Sequence, residues 1–187
     1  VVDSGGIKGL AVGSQHKLRV LLTGAEIEAG VKKLAYEIGR DYRDKNPLLI
    51  GVLKGSFMFL ADLIRRLEFQ LEIDFVRVSS YGSGTESSGK IDMTQLPCRP
   101  VQGRHVLVVE DIVDTGLTTS FILDYLNREN PASLRLCSLL DKPARRRVPV
   151  VIDYPGFTVP DRFLVGYGLD WDEKYRNLAG IYLVEES

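Results

Sequence analysis

A chain of 187 residues, 44% apolar and 26% charged, is long enough to bury a sizeable core and has the composition of an ordinary globular protein, which excludes a disordered or fibrous one. Its formal net charge of -1 gives no global pull toward nucleic acid or an anionic membrane surface. Two cysteines, Cys98 and Cys137, make no disulfide framework and suit a reducing cytoplasm, and no apolar run has the roughly 20 residues of a membrane span or the pattern of a signal peptide.

From the amino terminus, residues 1–13 carry Gly5, Gly6, Gly9 and Gly13 among few large apolar side chains, which predicts a flexible segment ahead of one domain over 14–187. Leu18–Leu22 reads as the first strand. Thr23 and Glu26 have capping-box spacing, so a helix should start there, and Ile27, Val31, Leu34, Ala35 and Ile38 recur along one face of it. Asn46-Pro47 then breaks the pattern. Leu48–Leu53 reads as a buried strand and Ser56–Leu67 as the next helix, with Phe57, Leu60, Ala61 and Ile64 on one side. Lys54 and Gly55 lie between them. A cation and a glycine where a strand gives way to a helix suit an anion, although a lysine there is more often a solvated turn residue. Glu72–Tyr81 alternates as a strand, and the polar stretch Gly82–Lys90 has almost nothing to bury, the composition of a surface loop.

The most informative stretch is Val108–Thr119, VVEDIVDTGLTT. It continues an apolar β-branched run from Val106, which reads as a strand buried on both faces. Glu110 and Asp111 follow where that strand should leave the core. Asp114, Thr115, Gly116, Leu117, Thr118 and Thr119 then make a small polar loop opening a helix, expected over Thr118–Asn127. Such a loop receives an anion on its backbone N–H groups, its hydroxyls and the helix N-terminus, and Gly116 lets the backbone come close. Carboxylates would repel a phosphate, so Glu110 and Asp111 fit sugar hydroxyls or a cation accompanying the ligand. A sugar phosphate answers both halves of the pattern.

Leu134–Leu140 reads as the next strand, leading into the basic run Asp141–Arg147. Such a run is usually a solvated face, and Arg145 and Arg147 fit that description. Lys142 differs, because it follows a buried strand directly and should project at the same edge as the phosphate loop. Farther on, strand character returns at Val150–Ile152, turns are expected at Tyr154-Pro155-Gly156, and Ile181–Val184 reads as the last strand.

The ordered string of apolar run, two acids, two apolar residues and D-T-G-x-T resembles the phosphoribosyl-pyrophosphate motif of the type I phosphoribosyltransferases. Over most of the chain, from about Leu18 to Glu185, four motifs in order resemble the bacterial-type hypoxanthine-guanine phosphoribosyltransferases. The resemblance implies an α/β fold: a mostly parallel central sheet flanked by helices, with a small hood over the base site built from the N-terminal strand and about residues 160–187. It implies transfer of a 5-phosphoribosyl group from phosphoribosyl pyrophosphate to N9 of hypoxanthine, guanine or both. Glu110 and Asp111 would hold the ribose and Asp114–Thr119 the 5′-phosphate. Lys54, Gly55 and Arg176 would contact pyrophosphate, the Leu53–Lys54 peptide being cis. Ile112, Lys142, Phe163, Leu164 and Asp170 would bind the purine, with Phe163 stacked on it. Asp114 would be the general base and Lys142 the partner of the exocyclic oxygen. Mg2+ is the implied cofactor, at Glu110, Asp111 and Asp170. Ser80-Tyr81 resembles the start of a flexible lid, here about residues 80–93, that keeps water from the reacting centre.

By the same resemblance the chain would form a homodimer or homotetramer in the cytoplasm, with no membrane or nucleic-acid partner. Two rival readings stay open on sequence: an RNA-binding regulator on the same fold, for which Arg145–Arg147 could serve, and a transferase that prefers xanthine.

Overall fold

The structure is a computed structural model that describes residues 17–80 and 91–185. The N-terminal segment 1–13, Tyr81 and the loop 82–90 lie outside the described residues. The first element, strand β1 (Lys17–Leu22), leads into helix α1 (Gly24–Tyr42). The capping box expected at its start is formed: Thr23 N donates to Glu26 Oε2 at 2.8 Å and Glu26 N to Thr23 Oγ1 at 3.3 Å. Strand β2 (Leu48–Leu53), helix α2 (Phe57–Ile64), strand β3 (Glu72–Ser80) and strand β4 (Ile91–Gln95) follow. Next come β5 (His105–Val113), helix α3 (Leu117–Arg128) and β6 (Ser133–Asp141). Short strands β7 (Tyr154–Thr158), β8 (Leu164–Val165) and β9 (Ile181–Glu185) complete the chain.

Six strands form the main sheet in the order β4-β3-β2-β5-β6-β7. Every neighbouring pair is parallel except β3 and β4. Because side chains alternate across a strand, each central strand feeds two cores. Leu49, Leu107 and Val109 join Ile27, Val31, Leu34 and Ile38 of α1 and Phe59, Leu60 and Leu63 of α2 on one face. Leu48, Ile50, Val106 and Val108 join Ile122 and Leu126 of α3 on the other. This explains why Leu48–Leu53 and Val106–Val109 are apolar at every position but Gly51 rather than alternating.

The elements expected to make a hood form a second sheet of three strands, ordered β1-β9-β8. Leu18 pairs with Val184 and Leu164 with Leu183, both antiparallel. No helix among the described residues is long and apolar enough to cross a membrane.

Three expectations are corrected. No strand covers Val150–Ile152; the strand runs instead over Tyr154–Thr158, through the expected turn. It lies at the sheet edge beside β6, where Pro155 can omit an amide donor at no cost. Residues 91–93, expected within the lid loop, belong to β4, with Met93 paired to Val78 and Ile91 to Ser80. Helix α2 ends at Ile64 rather than Leu67, its last turn tightening through Arg66 N to Leu63 O and Leu67 N to Ile64 O.

A polar clamp ties α1 to the far half of the sheet. Asp41 Oδ2 accepts from Arg135 Nη1 and from the Tyr154 hydroxyl, each at 2.8 Å. The Tyr154 hydroxyl, and then the Arg40 side chain, hold the Asp41 carboxyl below its usual value of 3.8. A depressed carboxylate contributes stability above its unfolded pKa and loses it as pH falls through the folded one. Asp41→Asn should therefore lower unfolding free energy by about 1–2 kcal/mol at pH 7. Urea melts should show that difference shrinking as pH drops below the usual aspartate value; a difference that persists unchanged in acid would sink this account.

Candidate active site

The carboxyl ends of β2, β5 and β6 meet at one edge of the main sheet, and the chemistry-bearing residues gather there. At the end of β2 the Leu53–Lys54 peptide is cis, as the family resemblance implied. The turn is then fastened by Ser56, whose backbone N donates to Val52 O at 3.3 Å and whose Oγ donates to the same oxygen at 2.7 Å. Gly55 lies against the Asp111 carboxylate so closely that any Cβ would overlap it. Glycine is what lets this turn approach the end of β5.

Strand β5 does not end before its acids. Glu110 and Asp111 are part of it, 5% and 9% exposed. Burial pushes the Glu110 carboxyl well above its usual range, and the neighbouring Asp111 adds to this. Burial also raises Asp111, against the hydrogen bond from Glu110, then backbone amides and the Arg176 charge, which favour its anion. Two buried neighbouring carboxylates with no cation between them hold a proton more readily than free ones.

Asp170, expected as a third metal ligand, does not join them. Among the described residues no three His, Cys, Asp or Glu side chains converge on a common point. Asp170 instead pairs with Arg176 through Oδ1 at 2.7 Å and accepts Glu173 N on Oδ2 at 2.9 Å. The separation suits a hard cation that takes one or two carboxylates and fills its remaining positions from ligand phosphate and water.

The loop after β5 turns at Gly116, whose φ is 83°. A Cβ there would sit 2.5 Å from Val148 O and 2.9 Å from Arg146 Cδ, so glycine is required on both counts. Helix α3 starts at Leu117, with Thr118 in its first turn and Thr119 buried. Thr115 O accepts Arg147 N at 2.8 Å and Val148 N at 3.1 Å, and Leu117 N reaches Thr115 Oγ1 at 3.4 Å.

Arg146 was not singled out by sequence. It donates from Nε to Asp114 O at 3.0 Å and from Nη2 to Val113 O at 3.1 Å, and pairs with Asp141. It therefore clamps the start of the phosphate loop to the end of β6. A basic run gives no hint of which of its members turns inward.

Lys142 is buried, its N donating to Val113 O at 3.0 Å and its Nζ to Arg162 O at 3.1 Å. The same Nζ stands 3.5 Å from Asp114 Oδ2. Arg145, expected as a solvated residue, places Nε 3.6 Å from Asp114 Oδ1 and 3.8 Å from Asp161. Asp114 Oδ1 is buried yet accepts no hydrogen bond among the described residues.

Beside this cluster Phe163, 52% exposed, forms a tilted pair with Trp171, ring centroids 4.9 Å apart. Leu164 is buried in β8 and Ile112 half-buried in β5. Trp171 was also missed by sequence, although a lone tryptophan next to Asp170 was a signal that could have been followed. Lys54 Nζ pairs with Glu173 Oε2 at 2.9 Å, and Arg176 Nη2 reaches the same oxygen at 3.3 Å. Ser80 ends β3, its backbone paired with Ile91. Neither cysteine enters the cluster: Cys98 is exposed, and burial pushes the Cys137 thiol up and leaves it inert.

Residues 20–172 match the phosphoribosyl transferase domain family. The hypoxanthine-guanine phosphoribosyltransferase of Streptococcus pneumoniae is 46% identical over 90% of this chain and 93% of its own length. That of Aquifex aeolicus is 47% identical over 91% and 96%. A crystal structure of a hypoxanthine-guanine phosphoribosyltransferase from Bacillus anthracis superposes with a TM-score of 0.86 at 44% identity, covering 91% of this chain and 100% of that one.

The chain belongs to the hypoxanthine-guanine phosphoribosyltransferase family. Its fold is the type I phosphoribosyltransferase fold, with the central sheet and flanking helices that the motifs implied.

The buried acids of this phosphoribosyltransferase carry a pH signature. A carboxyl whose folded pKa is raised contributes stability below its unfolded value and loses it as pH rises through the folded one. Glu110→Gln should therefore raise the Tm of the ligand-free protein at pH 8 and leave it nearly unchanged at pH 4. Equal gains at both pH values would mean that the Glu110 charge is not the cause.

Proposed function

We propose that this chain transfers the 5-phosphoribosyl group of phosphoribosyl pyrophosphate to N9 of hypoxanthine or guanine, yielding IMP or GMP and pyrophosphate in purine salvage. The observation that carries the reading is the pairing of Lys142 and Asp114, 3.5 Å apart at the sheet edge, beside the loop that opens α3. The two supply a donor and an acceptor for one purine, at the point where an anchored phosphate would deliver the sugar.

The ribose 5′-phosphate lies in the loop of Asp114, Thr115, Gly116, Leu117, Thr118 and Thr119, on backbone N–H groups and hydroxyls at the start of α3. Glu110 and Asp111 take the ribose hydroxyls or a magnesium ion brought in with the donor; their raised pKa values support a partner of positive charge. Such an ion would supply charge neutralisation for the departing pyrophosphate, its remaining positions filled from ligand phosphate and water. Lys54, the Gly55 backbone and Arg176 receive the pyrophosphate itself. Fixing both ends of the sugar leaves the anomeric carbon as the part that moves between partners.

The purine lies against Phe163, with Ile112 and Leu164 bounding its edge and the sheet β1-β9-β8 acting as the hood. Asp114 takes the proton released from the imidazole ring as N9 attacks, a role supported by its unsatisfied Oδ1. Lys142 stabilises negative charge growing toward the exocyclic oxygen. An ammonium donates and cannot accept, so it favours a 6-oxo group over the 6-amino group of adenine. A backbone carbonyl near Leu164 or Asp170 accepts the 2-amino group of guanine and repels the 2-oxygen of xanthine. Assembly into dimers or tetramers is a further part of the reading and is measured by sedimentation.

Nucleotide formation from phosphoribosyl pyrophosphate and magnesium, with the four bases in parallel, tests the assignment. Hypoxanthine and guanine should turn over, xanthine slowly and adenine not at all; xanthine in front would overturn the base pocket, and no turnover with any base would overturn the activity. Asp114→Asn should lower kcat about 100-fold or more while donor affinity stays within about threefold. Equal losses in kcat and donor affinity would remove Asp114 from the role of base.

A further inference from the structure

Glu173 occupies an unusual position for a surface carboxylate. Its Oε2 sits between Lys54 Nζ at 2.9 Å and Arg176 Nη2 at 3.3 Å, joining two cations from opposite ends of the chain. Those two cations are the ones assigned to pyrophosphate above. Arg176 does not need Glu173 for its charge, since Asp170 is already 2.7 Å away and Gly168 O accepts from Nη1 at 2.7 Å. Lys54 and Arg176 are thus matched by Asp170 and Glu173 before any ligand arrives. A pyrophosphate needs this corner positive.

The backbone beneath Glu173 is fixed while the side chain is not. Asp172 and Glu173 have φ of 53° and 61°, both in the left-handed region. They are flanked by reciprocal backbone bonds between Trp171 and Lys174, at 3.2 Å and 3.0 Å. This is the geometry of a tight turn with two positive-φ residues, and Glu173 N is further tied to Asp170 Oδ2 at 2.9 Å. The side chain itself is 63% exposed. It can swing into solvent without moving the turn.

We infer that Glu173 is a resident anion that stands in for pyrophosphate, holding Lys54 and Arg176 when the subsite is empty and competing with pyrophosphate and donor for them. The inference rests on the assignment of Lys54 and Arg176 to pyrophosphate. Its consequence is kinetic as well as thermodynamic. A departing pyrophosphate leaves behind cations that Glu173 recaptures, so the subsite binds its product less tightly than two free cations would. Donor and product are weakened alike, because both present the same diphosphate to the same pair.

Calorimetric titration of magnesium pyrophosphate, and separately of GMP, into the full-length wild-type, Glu173→Gln, Lys54→Met and doubly substituted chains tests this. Glu173→Gln should bind pyrophosphate about three- to tenfold more tightly, the scale of two partly exposed ion pairs. GMP, which lacks the diphosphate, should bind unchanged. The gain should shrink when Lys54 is already absent, since the competition then has one cation fewer. Unchanged or weaker pyrophosphate binding by Glu173→Gln, with Lys54→Met clearly weakened, would overturn the competitor role and leave the pyrophosphate assignment intact. No loss in Lys54→Met would overturn the assignment and the inference together.

Discussion

Glu110 and Asp111 lie inside a largely parallel sheet, in a strand where they directly follow the apolar, fully buried run Val106–Val109. Burying two adjacent carboxylates is expensive unless something positive or hydrogen-bonding arrives to offset it. Much of the surrounding structure is arranged about that cost. The turn after β2 has no side chain at Gly55 and so reaches the Asp111 carboxylate. Arg176 approaches from the other side and draws Asp111 toward its charged form. Neither contact removes the cost, and both carboxyls stay raised by burial.

The same edge of the sheet carries the two places that the proposed function assigns to anions. One is the loop at Gly116, built from backbone N–H groups and hydroxyls and braced from behind by Arg146. The other is the corner of Lys54 and Arg176, built from side-chain charge. The difference in construction matters. A backbone loop stays in place whether or not it is filled, whereas long charged side chains find partners of their own. Glu173 is such a partner for both cations.

Lys142 and Asp114 illustrate how position changes the meaning of a charge. A buried lysine with an ammonium near a carboxylate and a backbone carbonyl is satisfied enough to remain in place, while the other Asp114 oxygen has the Arg145 charge beside it but accepts no hydrogen bond among the described residues. Arg145 and Arg146, adjacent in sequence, do different work: one stays near the surface beside Asp114 and Asp161, and the other folds under the loop.

What the amino-acid sequence determined by itself was everything local in origin. Apolar runs at Leu48–Leu53 and Val106–Val109, the capping box at Thr23, and the acid-acid and D-T-G-x-T string each carry their physical reason within a few residues, and each lies where it was read. Family resemblance added the cis peptide at Leu53–Lys54 and the hood strands, which no periodicity reveals. Tertiary structure decided the rest, because the partners are distant. Pro155 looks like a turn until the sheet order places it on an edge. Arg146 and Arg145 look alike until one meets carbonyls of Val113 and Asp114. Glu173 looks like a surface acid until folding brings Lys54 within 2.9 Å of it across 119 residues of chain. Long-range pairing of charged side chains leaves no mark on local sequence, so it becomes visible when the chain has closed around them.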